Sequence, residues 1–136
     1  MDNLLSKLDP IAAPLGRLFL SLIFIGAGLA KVMSGGEGMV AYMESAGVPG
    51  FLFWPAALFE LFAGLAILVG WKTRMVAFLL SGFCMLTAIL FHADFADQMQ
   101  QTMFMKNMAL AGAFLFLMRF GGGEFSLDNR GASGDS

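Results

Sequence analysis

Four stretches of mainly apolar side chains alternate with short polar breaks, at about 14–33, 51–71, 75–93 and 103–120. Each approaches the roughly 20 residues that an α-helix needs to cross the hydrocarbon core of a bilayer. Pro14 suits a first helical turn, where its missing N–H is no loss. Ser34-Gly35-Gly36-Glu37-Gly38 breaks the first span. Behind it Met39, Val40, Met43 and Ala46 recur at helical spacing with Glu44 off the stripe, which predicts a short amphipathic helix at the membrane surface. Gly47-Val48-Pro49-Gly50 ends it. Lys72, Thr73 and Arg74 make a very short turn, so spans two and three are antiparallel neighbours. Asp94 through Thr102 reads as a polar connection. The pattern predicts an all-α integral membrane protein: a four-helix antiparallel bundle with a short interfacial helix between spans one and two. Residues 1–120 form the one membrane domain, and 121–136 a hydrophilic C-terminal tail with a flexible end.

Composition agrees with this. The hydrophobic set makes up 58% of the 136 residues, with 17 glycines besides. A soluble domain of this size has too much surface per unit volume to hide so much apolar side chain. That excludes an ordinary soluble enzyme, a disordered chain and a nucleic-acid binder. The net charge of −2 supplies no basic footprint. Cys84 is the single cysteine, so no intrachain disulfide and no paired-cysteine redox or zinc motif is available. With Asp2 and Asp9 flanking Lys7 and no small-x-small cleavage site, the first span is expected to stay as a signal anchor. Lys7, Arg17, Lys72, Arg74, Arg119 and Arg130 fall on one side of the alternating topology, and only Lys31 and Lys106 on the other. The positive-inside rule then places both termini in the cytoplasm of a multi-pass inner-membrane protein.

The polar residues inside the spans carry the candidate chemistry, because intramembrane charge is costly and usually functional. On a helical wheel Arg17, Ser21, Phe24, Gly28 and Lys31 share one stripe, which should face the bundle interior. Ala56, Glu60 and Gly64 repeat at i, i+4, i+8, where small neighbours let another helix approach the carboxylate. Counting about 1.5 Å per residue, Glu60 lies near mid-bilayer, Lys31 and Lys106 about 9–10 Å toward the outer face, and Arg17 about as far toward the cytoplasm. Lys31, Glu60, His92, Lys106 and Asn107 are therefore the candidate ligand-binding residues, around a polar pocket opening outward or sideways into lipid. Glu60 also needs a cation; Lys31 is the first candidate partner, Lys106 the second and Arg17 the third. Each has a plainer reading: Arg17, Lys31 and Lys106 as snorkelling side chains, Glu60 as a structural ion pair, His92 as a headgroup-level histidine. The outer methionines (Met33, Met39, Met43, Met99, Met103, Met105) read as packing or interfacial residues rather than a Cu(I) site, and no metal is expected.

With these residues located, the sequence resembles the DoxX family of small bacterial membrane proteins along nearly its whole length. The resemblance rests on Leu15-Gly16-Arg17-Leu18, Gly26-Ala27-Gly28-Leu29-Ala30-Lys31, Gly47-Val48-Pro49 and Glu60-Leu61-Phe62-Ala63-Gly64-Leu65. It continues through Gly70-Trp71-Lys72-Thr73-Arg74, Phe91-His92, Phe104-Met105-Lys106-Asn107 and the ending Gly121-Gly122-Gly123-Glu124-Phe125-Ser126-Leu127-Asp128. It implies kinship with subunits of quinone-linked membrane oxidoreductases and with partners in thiol and superoxide defence. It transfers no catalytic residue set. One histidine excludes two-histidine haem ligation within the chain. Three functions are expected in this order: a quinone- or lipid-binding subunit of a membrane oxidoreductase, with quinone as the candidate cofactor; a non-catalytic scaffold or assembly factor; and a small-solute carrier using Glu60 as a proton site. The expected partners are the lipid bilayer, a quinone or lipid ligand, and a redox enzyme or further copies of the chain.

Overall fold

A computed structural model describes residues 1–36 and 38–134. It contains α1 (Asp2–Ser34), α2 (Met39–Ser45), a 3₁₀ turn (Gly50–Leu52), α3 (Phe53–Val69), α4 (Thr73–Phe91), α5 (Gln98–Phe120) and α6 (Leu127–Gly134). Four of these helices are long and apolar enough to cross a membrane, and no strand occurs among the described residues. The four-helix bundle and the short helix between spans one and two are therefore present.

The helices packed in pairs give the bundle its plan. α1 lies along α3, and α4 along α5; the pairs meet each other far less extensively, mainly through α3 and α4. Gly28 sets the first contact: a Cβ there would come within 2.7 Å of the Leu61 amide nitrogen and 3.0 Å of the Ala57 carbonyl. Only a glycine lets the two backbones approach this closely. The second pair packs through Ala77, Cys84, Ala88 and Ala111, and Ser81 Oγ donates to the Ala111 carbonyl at 3.0 Å. Two ring contacts bridge the pairs, Phe24 with Phe114 at 5.5 Å between centroids and Phe59 with Phe83 at 5.2 Å.

Three boundaries differ from the expected ones. The helix carrying span one begins at Asp2 and places Pro14 deep inside, with Pro10 a turn earlier. At 33 residues it is about 50 Å long, well beyond a hydrocarbon core of about 30 Å. Its first turns hold Asp2 at the positive end of the helix dipole and are otherwise exposed, so a proline's lost hydrogen bond can be made good by water. α5 starts five residues before Met103, because Asp97 caps it, its carboxylate accepting from the Met99 amide at 2.9 Å. The residues after Phe120 are not a loose tail. Gly122 and Ser126 are buried against the bundle, and α6 follows.

Candidate functional site

The α1–α3 contact at Gly28 brings the next turn of α1 level with the middle of α3. Lys31 Nζ lies 2.7 and 2.8 Å from the two Glu60 carboxylate oxygens. Glu60 is buried and Lys31 half-buried, so the pair exchanges charge for charge in a low-dielectric setting where either ion alone would be costly.

Above this pair lies a cavity of about 410 Å³ between the two helix pairs, walled by α1, α2, α3, α4 and α5. Lys31, Glu60, His92, Lys106 and Asn107 all line it, among mainly apolar neighbours such as Phe24, Phe53 and Leu110. Asn107 Nδ2 donates to Thr87 Oγ1 at 3.1 Å, and the Thr87 hydroxyl is itself turned back onto the carbonyls of Phe83 and Cys84. The Asn107 oxygen then has no donor among the described residues. His92 Nδ1 pairs with Gln100 Oε1 at 3.1 Å, joining the end of α4 to the first turn of α5. Lys106 differs from the rest. Half-buried at the edge of the cavity, its ammonium has neither an ion pair nor a hydrogen bond among the described residues.

α2 lines the cavity through Met39, Tyr42 and Met43. The Tyr42 hydroxyl donates to the Phe91 carbonyl at 3.1 Å and the two rings stack at 5.7 Å, tying this short helix to the last turn of α4. Thr87, Tyr42 and Gln100 were not singled out from the sequence. Thr87 sits one turn before Phe91 on the same helical face, which is the signal that would have found it.

Arg17 requires a correction. It does not serve Glu60, nor does it snorkel to headgroups. It is buried at the opposite end of the bundle, 14 residues and about 21 Å along α1 from Lys31. Its Nη1 donates to the carbonyls of Leu68 at 2.8 Å and Ile67 at 3.3 Å, its Nε to Gly122 at 2.9 Å, and its Nη2 to Phe125. The cause is local: in the last turn of α3 the Ile67 carbonyl shares the Gly70 amide at 3.2 Å, that of Leu68 has no backbone donor among the described residues, and the turn carries the negative end of the helix dipole. A guanidinium, with five donors in a planar fork, satisfies them together with the returning tail.

The tail completes this end. Asp128 accepts from the Lys72 amide at 2.6 Å and the Thr73 amide at 2.8 Å, and its own amide donates to the Gly70 carbonyl at 2.9 Å. Lys72 stands at φ 47°, in the left-handed region, and its side chain does not cap α4. Asp128 takes over that N-cap from 55 residues away. Burial alone would raise the Asp128 carboxyl, but the Thr73 and Lys72 amides and the Arg17 charge outweigh it and hold it below its usual value. The Thr73 hydroxyl adds to this electrostatically, although its geometry completes no hydrogen bond.

Comparison with known proteins gives a consistent result. Residues 12–93 match the family model described as DoxX. Over 124 residues the chain is 42% identical to the inner membrane protein YqjF of Escherichia coli K12, covering 91% of this chain and 95% of that protein. Over 128 residues it is 36% identical to the inner membrane protein YphA of the same organism, covering 89% and 91%. No solved structure matches. The matched segment carries Arg17, Lys31, Glu60 and His92, and stops short of Lys106, Asn107 and the docked tail.

Proposed function

The chain belongs to the DoxX family of integral inner-membrane proteins, and from that premise we propose that it is the membrane subunit of an oxidoreductase, binding a quinone-class lipid in the cavity above Glu60. One observation carries the reading: a mainly apolar cavity of ligand size holds a cation, Lys106, with no partner among the described residues. Cavities for small molecules run to about 300–1,000 Å³, lined by apolar side chains with a few convergent polar groups. A quinone ring offers two carbonyl oxygens and no donor. Lys106 supplies a charged donor to one, and His92 or Lys31 is placed for the other. Glu60 is already neutralised by Lys31, so it does not repel an electron-rich ring. With one cysteine the chain has no thiol pair, and on this reading electrons come from a partner enzyme.

On this reading the cavity end faces outward and the end held by Arg17 and the tail faces the cytoplasm, following the six basic residues against two. A Met99→Cys variant should then react with an impermeant maleimide from outside the cell; labelling only after the membrane is opened would reverse the topology.

Binding is tested with the chain in lipid nanodiscs, using Trp54 as reporter. Its ring meets the cavity-lining Phe53 edge-on at 5.4 Å between centroids. In a Trp71→Phe background, a decyl-tailed benzoquinone should quench Trp54 saturably. Lys106→Ala should weaken that binding about 10- to 100-fold, as expected for a hydrogen bond from a charged donor of about 1.5–3 kcal/mol. Linear, unsaturable quenching unaffected by Lys106→Ala would reject the proposal.

A further inference from the structure

The cavity is a slot between two helix pairs, and its two flanks differ in chemistry. Between α1 and α5 the lining side chains are Ile23, Ala27, Lys31, Met103 and Lys106. Between α4 and α3 with its preceding 3₁₀ turn they are Leu52, Ala56, Phe83, Leu86 and Leu90; the polar lining residues of these helices, Glu60 and Thr87, turn instead to Lys31 of α1 and Asn107 of α5. Leu86 and Leu90 are 55% and 40% exposed while also lining the cavity. In a bilayer such residues touch acyl chains on one side and the slot on the other, so the slot is continuous with hydrocarbon at that flank. At the α1–α5 flank Ile23 is 38% exposed as well, but that route passes the charged side chains Lys31 and Lys106. Toward the tail end the Phe59–Phe83 ring contact closes the gap between α3 and α4, and at the outer end Tyr42 fastens α2 to α4.

Resting on the reading that the cavity takes an amphiphile, we infer that this molecule lies across the bundle, its headgroup beside Lys106 and Asn107 and its single apolar chain leaving between α3 and α4 into the bilayer. The ligand exchanges sideways with lipid rather than through the aqueous mouth. Polarity fixes the orientation: a headgroup moved to the leucine flank would lose every hydrogen bond, and a chain laid along Lys106 would strip water from an unpaired cation. Size limits it to one chain, since about 410 Å³ lies near the lower end for ligand cavities and holds a head and the root of one tail. A quinone and a long-chain carboxylic acid share this chemistry, an oxygen acceptor on a single chain.

Photolabelling of the unaltered chain in nanodiscs tests the path. The probes are a benzoquinone and a carboxylic acid, each on a ten-carbon chain ending in a diazirine. The expected adducts fall on Leu52, Leu86 or Leu90 and drop at least tenfold under excess unlabelled compound of the same head. Competable adducts on Ile23 or Met103 would overturn the inference while leaving an occupied cavity. Adducts that excess ligand does not reduce would mean simple partitioning into the bilayer and overturn it too. Competable labelling by the acid alone would keep the path and remove the quinone; labelling by neither head would remove both the path and the cavity's occupant. Leu86→Trp, which narrows the exit, should raise the dissociation constant of the tailed quinone at least tenfold more than that of the tail-less ring. An equal rise for both compounds would count against a tail path.

Discussion

The two ends of the bundle each bury a cation from the same stripe of α1, and they treat it in opposite ways. At one end Arg17 is saturated by four backbone carbonyls with the tail packed over it. At the other, Lys31 meets one carboxylate and the space beyond is open, with Lys106 waiting at its edge. At the first end Arg17 spends its donors on backbone carbonyls, and its residues hold helix ends together. The cavity end keeps polar capacity in reserve. The proposed site is thus set apart not by buried charge alone but by a cation with no partner among the described residues, beside a void.

The comparison breaks first at Arg17. Arg17→Ala removes four hydrogen bonds from a charged donor, each worth about 1.5–3 kcal/mol, and frees the tail; it should cost about 5 kcal/mol or more, the largest loss expected of any single change here. Thermal unfolding in detergent measures it, and hydrogen exchange over residues 121–130 should rise in parallel. Arg17→Lys should recover little, because a point charge does not reproduce a planar fork. A tail that stays protected in Arg17→Ala would show that the carbonyl contacts do not hold it.

Next in size is the Lys31–Glu60 pair. Either residue changed to Ala leaves its partner's charge buried, at about 3–5 kcal/mol if that charge persists and less if it is neutralised. The double variant should lose less than the sum, with a coupling of about 1–3 kcal/mol. Strict additivity in a thermal-stability cycle would mean that the 2.7 Å contact contributes no energy. Lys106→Ala sharpens the contrast from the other side. It should change stability by less than about 0.5 kcal/mol, since no partner is lost, while ligand binding falls.

The smallest effect is the pH dependence of tail docking. Asp128 has its pKa lowered in the folded chain, so its contribution is complete above the unfolded carboxyl value of about 3.9 and is lost as pH falls through the folded value. Docking should be flat from pH 8 to 5 and weaken only below about pH 4. Emission from Trp71, beside the capped turn, reports it, and Asp128→Asn should abolish the acid transition while losing one of the two amide bonds, at about 0.5–1.5 kcal/mol. A transition near neutrality would point to a different group.

Much of this was legible in the sequence, for reasons that also explain the rest. Apolar runs mark four spans, although the second reaches spanning length only with Glu60 inside it; the rise per residue placed Lys31 within reach of that carboxylate. The stripe on α1 correctly turned Arg17 inward, yet the residue's partners were hidden, because backbone carbonyls are present at every position and leave no mark. The tail was hidden for a related reason. Gly121 to Ser126 has no periodicity, and its order comes from contacts made more than 100 residues away. The early start of α5 was obscured because its first turn is polar, although Asp97 is an N-cap signal once one looks for it.

The cap from Asp128 onto Lys72 and Thr73 has a consequence in time as well as in space. The two halves of that contact leave the ribosome 55 residues apart. At about 5–20 residues per second this is a wait of roughly 3–11 s. Throughout it the hairpin of α3 and α4 exists with a left-handed lysine unsupported and a helix start uncapped. The hairpin is thus made before it can be fastened, and a later segment closes the structure that the middle of the chain began.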